Sequence, residues 1–270
     1  MTTSTPTIFQ STPATPYRLT FSGMLRSEWI KLHSLWSTGW LYASVVVISL
    51  ALGALAPVVV EDAAAASADQ ILEVVASGAT FGILFSQLVV ATLGVISMTG
   101  EYSTGQIRST LTAVPTRLRM LGAKATVLIV SSFVVGVLSA AGGAAVAAAI
   151  VGARGGTVAF AEPEVLASIL WTGFYLAVVA VFSLGIGTLV RNTGGGIATA
   201  LAALLVLPIA FSLAPVQWMQ EASAWLLSNA GMALAQGTGA TPTWQLALTV
   251  LAWAVGSTLI GAALLRRRDA

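Results

Sequence analysis

Residues 99–124 read TGEYSTGQIRSTLTAVPTRLRMLGAK. The stretch lies between two long apolar runs, about 79–99 and about 125–152, and it carries Arg108, Arg117, Arg119 and Lys124, four of the twelve basic residues of the chain. Pro115 divides it. Before the proline, Ser103 or Thr104 can cap a short helix through about Ala113, with Ile107, Leu111 and Val114 on one face and Gln106 and Arg108 off it. Val114 precedes proline, so it is expected to be extended and to end that helix. Thr116 then opens a helix that grows into the next apolar run, and Arg117, Arg119 and Lys124 are expected to snorkel to lipid phosphates or stay in water. A basic loop between two membrane spans explains the arginines. It does not explain the Ile107/Leu111 face, or Glu101 at the edge of an apolar run, where a carboxylate is costly unless paired or solvated. A basic residue of the helix preceding the first span is a candidate mate for Glu101.

The composition fixes the solvent. The chain has 270 residues, 57% hydrophobic and only 8% charged, against about a quarter charged in ordinary soluble domains. Six runs are long enough to cross a hydrocarbon core at about 20 residues each. They are about 38–60, 79–99, 125–152, 165–190, 195–215 and 244–265. With six spans, every Lys and Arg except Arg154 falls on one side, which places both termini in the cytoplasm. Glu61, Asp62, Asp69, Glu73, Glu162, Glu164 and Glu221 fall on the other side.

The expected fold is thus an all-α membrane protein with six transmembrane helices and both ends inside. Residues 1–20 are rich in Ser, Thr and Pro and read as a disordered cytoplasmic tail. They lack the apolar core of a signal peptide, so the first span is expected to serve as the insertion signal. Residues 21–37 form an amphipathic interfacial helix, with Phe21, Met24, Leu25, Trp29, Leu32, Leu35 and Trp36 as its stripe and Arg26, Glu28 and Lys31 away from it. Residues 38–265 hold the membrane domain, and 266–270 a basic cytoplasmic tail. The segment 216–243 is too polar for a seventh span and reads as external and partly helical, with Trp218, Ala222, Trp225 and Met232 as its apolar face. The sequence leaves open whether it re-enters the outer leaflet or lies on the surface.

The helix LRSEWIKLHSLWSTGW (25–40), the six spans and the loop GEYSTGQIRSTLTAVPTRLRMLGAK (100–124) together resemble an ABC-2 type permease, the transmembrane subunit of a bacterial ABC transporter, over about residues 24–266. The resemblance implies a multi-pass protein of the bacterial inner (cytoplasmic) membrane that forms a translocation pathway, for export. It implies two copies of an ABC ATP-binding subunit and a second permease subunit, identical or related. By this resemblance the loop after span two is the coupling helix, with Glu101 and Tyr102 at its acidic start and Gly105, Gln106, Ile107 and Arg108, then Leu111, as its core. The helix with Arg26, Glu28, Trp29 and Lys31 is the connecting helix, and 216–243 is a re-entrant or capping element. The spans that line the pathway in the family carry Ser86, Gln87 and Thr92 here; Gln87 reads first as an interhelical hydrogen-bonding residue.

Other chemistry is poorly supplied. There is no Cys and one His, His33, which removes disulfides and Fe–S clusters and argues against a metal site. Lys31 is followed by Leu32 and Lys124 by Ala125, so neither completes a P-loop. Gly194–Gly196 has no following lysine and reads as a flexible turn with small residues for helix packing. ATP and Mg²⁺ are therefore expected on a partner subunit, with no cofactor on this chain. A net charge of +2 gives no reason to expect nucleic acid. The alternatives are a non-transporting sensor, assembly or resistance subunit that partners an ABC ATPase, and an ATP-independent channel or scaffold.

Overall fold

The structure, a computed structural model, describes residues 20–59, 66–105, 117–156, 160–237 and 241–267. Among these residues there are helices and no strands. In chain order the α-helices are α1 (Phe21–Ser34), α2 (Trp36–Gly53), α3 (Ala68–Thr80), α4 (Ile83–Ser103), α5 (Arg117–Ala153), α6 (Pro163–Val190), α7 (Thr193–Leu201), α8 (Leu207–Ser212), α9 (Gln217–Ser223), α10 (Leu227–Gln236) and α11 (Thr243–Arg267). Six helical stretches are long and apolar enough to cross a membrane: Trp36–Val58, Ala68–Ser103, Leu118–Ala153, Pro163–Val190, Thr193–Ser212 and Thr243–Leu265. This is the architecture of a multi-pass membrane protein.

Helix α6 is the hub. It touches α3, α4, α5, α7, α10 and α11, and its side chains from Val165 to Thr188 are mostly buried. Helices α2, α8 and α11 sit outside it and present Trp40, Val47, Ile209, Leu248 and Leu259 outward. Such a belt suits lipid, not water. Lipid is as apolar as these side chains, so helix association rests on close van der Waals packing. Small residues supply it. Ala140, Ala144 and Ala147 of α5 are fully buried, and a Cβ on Gly143 would fall 2.4 Å from the Gly78 carbonyl oxygen and 3.0 Å from that of Ser49. The Gly/Ala pattern of the third span thus seats α2 and α3 within this one chain.

The second span departs from expectation at its start. A run beginning near residue 79 was expected, but α3 already begins at Ala68. Ser67 and Gln70 form a reciprocal capping box there. Asp69, Gln70 and Glu73 break the apolar run, yet they are exposed, while Ile71, Val74 and Val75 pack on α5 and α6. At about 1.5 Å per residue, the 21 residues of α4 alone reach about 32 Å, enough for a hydrocarbon core of about 30 Å.

The fifth span is broken as its proline suggests. Ala202–Val206 is a π-helical turn immediately before Leu207 and Pro208. Proline removes a backbone donor and crowds the preceding turn, and the wider π turn absorbs both. Gly194–Gly196 is a helix start, not a loose turn. The Asn192 side chain accepts from the Gly195 amide at 2.8 Å and caps α7, and a Cβ on Gly196 would meet Val95 at 2.8 Å. Gly196 lets α7 approach α4, whereas Gly194 and Gly195 lie beside the Asn192 cap.

Candidate functional site

Four charged side chains meet at the end of the bundle where α1 lies, α4 finishes and α5 begins. Lys31 Nζ donates to Glu28 Oε1 at 2.8 Å and to Glu101 Oε1 at 3.2 Å. Lys124 Nζ donates to Glu28 Oε2 at 2.6 Å and to Glu101 Oε1 at 2.9 Å. The charges alternate around a closed ring: Glu28, Lys31, Glu101, Lys124. Glu28, Glu101 and Lys124 are buried, and Lys31 is the partly exposed member. Three helices contribute: α1 with Glu28 and Lys31, α4 with Glu101, and α5 with Lys124.

Local sequence explains each position. Thr20 caps α1 by accepting from the Gly23 amide at 3.2 Å. The buried face of α1 is then Met24, Glu28 and Leu32, at i, i+4 and i+8. Two members of the expected stripe, Met24 and Leu32, lie on this face, and Phe21, Trp29, Leu35 and Trp36 are exposed; the correction is Glu28, which was expected away from the stripe and is buried with them. Its carboxylate can do so because Lys124 meets it. Lys124 lies among the buried Met120, Leu121, Ala123, Val127 and Leu128 of α5, so it points into the bundle and does not snorkel outward. Its sequence surroundings, apolar on both sides, were the available signal. Glu101 falls in the last turn of α4, which continues to Ser103. Ser103 and Thr104 close this helix: their hydroxyls donate to the Gly100 carbonyl at 3.0 and 2.8 Å, and the short helix expected from here to about Ala113 lies outside the described residues.

The electrostatics follow from this packing. Burial by itself would raise the Glu28 carboxyl, but Lys124 and Lys31 overcome it and hold it below its ordinary value. Burial by itself would lower the Lys31 ammonium, but Glu28 and Glu101 overcome it and hold it above its ordinary value. Both groups are thus kept in their charged forms.

Of the other expected residues on this face, Tyr102 is half-buried beneath the Arg191 guanidinium, 5.3 Å from its ring centre. That contact ties the end of α4 to the end of α6. Arg191 adopts φ 56°, the left-handed turn that terminates α6. Gly105 takes φ 70° and so turns the chain sharply after α4. Arg26 and Trp29 are exposed on α1, and the Trp29 ring stacks on His33 at 4.1 Å. Gln106, Ile107, Arg108 and Leu111, with Val114 and Pro115, lie outside the described residues, as do residues 1–19 and 268–270 of the two tails.

A cavity of about 430 Å³ opens beside the ring. Glu28, Lys31, Glu101 and Lys124 form its polar end, and Leu93, Ile96, Val127 and Leu128 its apolar end.

A second polar group sits deep in the bundle. Gln87 is fully buried, accepts a hydrogen bond from the Tyr175 hydroxyl and donates to Ser228 Oγ at 3.3 Å. It joins α4, α6 and α10, as an interhelical hydrogen-bonding residue does. Ser86 is also fully buried, 3.4 Å from Ser49 Oγ across to α2. Thr92 donates to the Leu88 carbonyl within its own helix.

Within the segment 216–243, α10 packs into the bundle while α9 has no buried residue. Leu227, Ser228, Ala230, Gly231, Leu234 and Ala235 of α10 are buried against α6 and α11. Of the expected apolar face, Trp218 and Trp225 are exposed and Met232 packs partly buried against the core. Small residues made the buried face of α10 inconspicuous. A Cβ on Gly231 would fall 2.0 Å from the Tyr175 ring, so only glycine fits. The Trp225 carbonyl accepts from Trp253 Nε1 at 2.9 Å and fastens the segment to α11.

Among the described residues no group of three or more His, Cys, Asp or Glu could hold a metal ion. No protein-family model matches the chain, and no curated protein matches it.

Proposed function

We propose that this chain is the membrane-spanning permease subunit of an ABC-2 type transporter, lodged in the bacterial inner membrane with both termini in the cytoplasm. It would form an export pathway with a second permease subunit and take its energy from two copies of a separate ATP-binding subunit, which would hold ATP and Mg²⁺. The observation that carries this reading is the charge ring. It ties α1 to the end of α4 and the start of α5, the two helices that flank the loop 104–116. A push on that loop would reach α1, α4 and α5 together and through them the membrane spans. Force transmission needs such a rigid joint and no catalytic group. The tied segment α10, buried on the opposite side of the bundle from this joint, would close the external end.

The test is co-expression with an ABC ATPase encoded beside this chain, followed by ATPase measurement on the purified complex. Ile107→Glu should abolish stimulation of the ATPase while leaving the permease folded. Unchanged stimulation would overturn the coupling role of the loop. A reporter fused after Ala270 should signal cytoplasm, and an external signal would overturn the orientation. Transport into reconstituted vesicles separates a permease from a non-transporting partner.

A further inference from the structure

Glu101 has an unspent valence. Its Oε1 accepts from both lysines, but Oε2 has no hydrogen-bond partner, although the residue is only 6% exposed. Leaving a buried carboxylate oxygen unpaired is costly, and the charge makes it more so than for a neutral group. Glu101 is at the same time a wall of the cavity beside the ring. Oε2 is itself buried, so it meets a ligand only as the carboxylate turns toward the cavity about its soft last torsion.

The cavity has the complementary features of one ligand class. Its polar end holds two carboxylates and two ammoniums, so it carries no net charge to attract a simple ion. Lys31 makes two hydrogen bonds to carboxylates, and an ammonium has a third N–H to give. As the partly exposed member of the ring, it can offer that proton to an anion at the mouth. The other end is lined by Leu93, Ile96, Val127 and Leu128. A buried, unpartnered acceptor, a partly exposed donor and an apolar wall match a zwitterionic head with an ammonium, a phosphate and a hydrocarbon chain. Leu35 and Trp36, exposed where α1 turns into α2, place the opening at the level where a bilayer's head groups meet its chains.

We propose that this cavity binds the head group of an aminophospholipid, with a primary ammonium donating to Glu101 Oε2 and the phosphate accepting from Lys31. A quaternary ammonium has no N–H and cannot make the first bond. The assignment needs only that the chain sits in a bilayer; it is independent of ATPase docking, so either reading can fail alone.

The experiment is native mass spectrometry of the full chain released from mixed micelles holding equal phosphatidylethanolamine and phosphatidylcholine of identical acyl chains. One charge-assisted hydrogen bond should enrich phosphatidylethanolamine about tenfold in the retained lipid. Glu101→Gln should abolish the preference. If that variant does not fold, Ile96→Trp fills the apolar end, leaves the ring untouched, and should abolish it too. Dodecylammonium at equal concentration should not displace the lipid, since it lacks the phosphate. Equal retention of the two lipids, or a preference that survives Ile96→Trp, would overturn the proposal. Displacement by dodecylammonium would assign the cavity to a free amphiphilic amine and overturn the lipid assignment.

Discussion

Glu101 and Lys124 are separated by 23 positions in sequence and by the whole 104–116 loop, yet their side chains meet at 2.9 Å. This contact closes the base of the α4–α5 hairpin. Breaking a buried ion pair on one side strands the other charge and costs about 3–5 kcal/mol. Lys124→Met should therefore lower the thermal midpoint of the purified chain strongly, by that order of free energy. Arg119→Ala, at an exposed site five residues earlier in the same helix, should leave it within about 0.5 kcal/mol.

The ring also predicts the pH dependence of stability. Glu28 titrates below its ordinary 4.5 in the fold, so its contribution is present above that value and is lost as pH falls through the lower folded value. Lys31 titrates above its ordinary 10.5, so its contribution is present below that value and is lost as pH rises through the higher folded value. The contribution of these two groups should be constant between those limits and should fail on both sides. Lys31→Met should remove the alkaline loss specifically, which pH-resolved melting by intrinsic fluorescence can read.

Gly231→Ala should unseat α10. The new methyl would lie 2.0 Å from the Tyr175 ring, and overpacking of this kind costs about 1–3 kcal/mol. Gly256→Ala is the control, because nothing lies within 4 Å of its Cβ. Replacing a helical glycine with alanine there should stabilise by up to about 1 kcal/mol. Cysteine labelling of Ser228→Cys should rise sharply in the Gly231→Ala background and stay low in the control.

Tyr175→Phe removes the donor to Gln87 Oε1 and leaves a buried amide oxygen unsatisfied, at a cost of about 1–3 kcal/mol. Gln87→Met strands both the Tyr175 hydroxyl and Ser228 Oγ and should cost at least as much as Tyr175→Phe. The same labelling of Ser228→Cys distinguishes a local loosening of α10 from global unfolding.

Span number and approximate limits were legible because each depends on a property summed over about 20 residues. Single-residue placements were legible only where one physical rule dominated. Glu101 was recognised as needing a cation, and Lys31 of the preceding helix supplies one. Lys124 was expected to snorkel to lipid phosphates or stay in water, because the positive-inside pattern does not say which way a lysine near a helix end points. Glu28 was set on the outer face of α1 since periodicity weighs apolar residues and takes no account of a partner on another helix. The face of α10 escaped notice for the opposite reason: Gly, Ser and Ala carry little hydrophobic signal, and their role is to be small. The start of α3 was hidden by three exposed polar residues that interrupt the apolar run without interrupting the helix.

The ring of Glu28, Lys31, Glu101 and Lys124 balances two negative groups with two positive ones. Carrying one elementary charge through the full membrane potential involves about 2.3 kcal/mol per 100 mV. A joint that moves as a closed, neutral unit does no such work. The ring itself would add no net charge movement to a rocking of the helices about this joint, however the membrane voltage rises and falls.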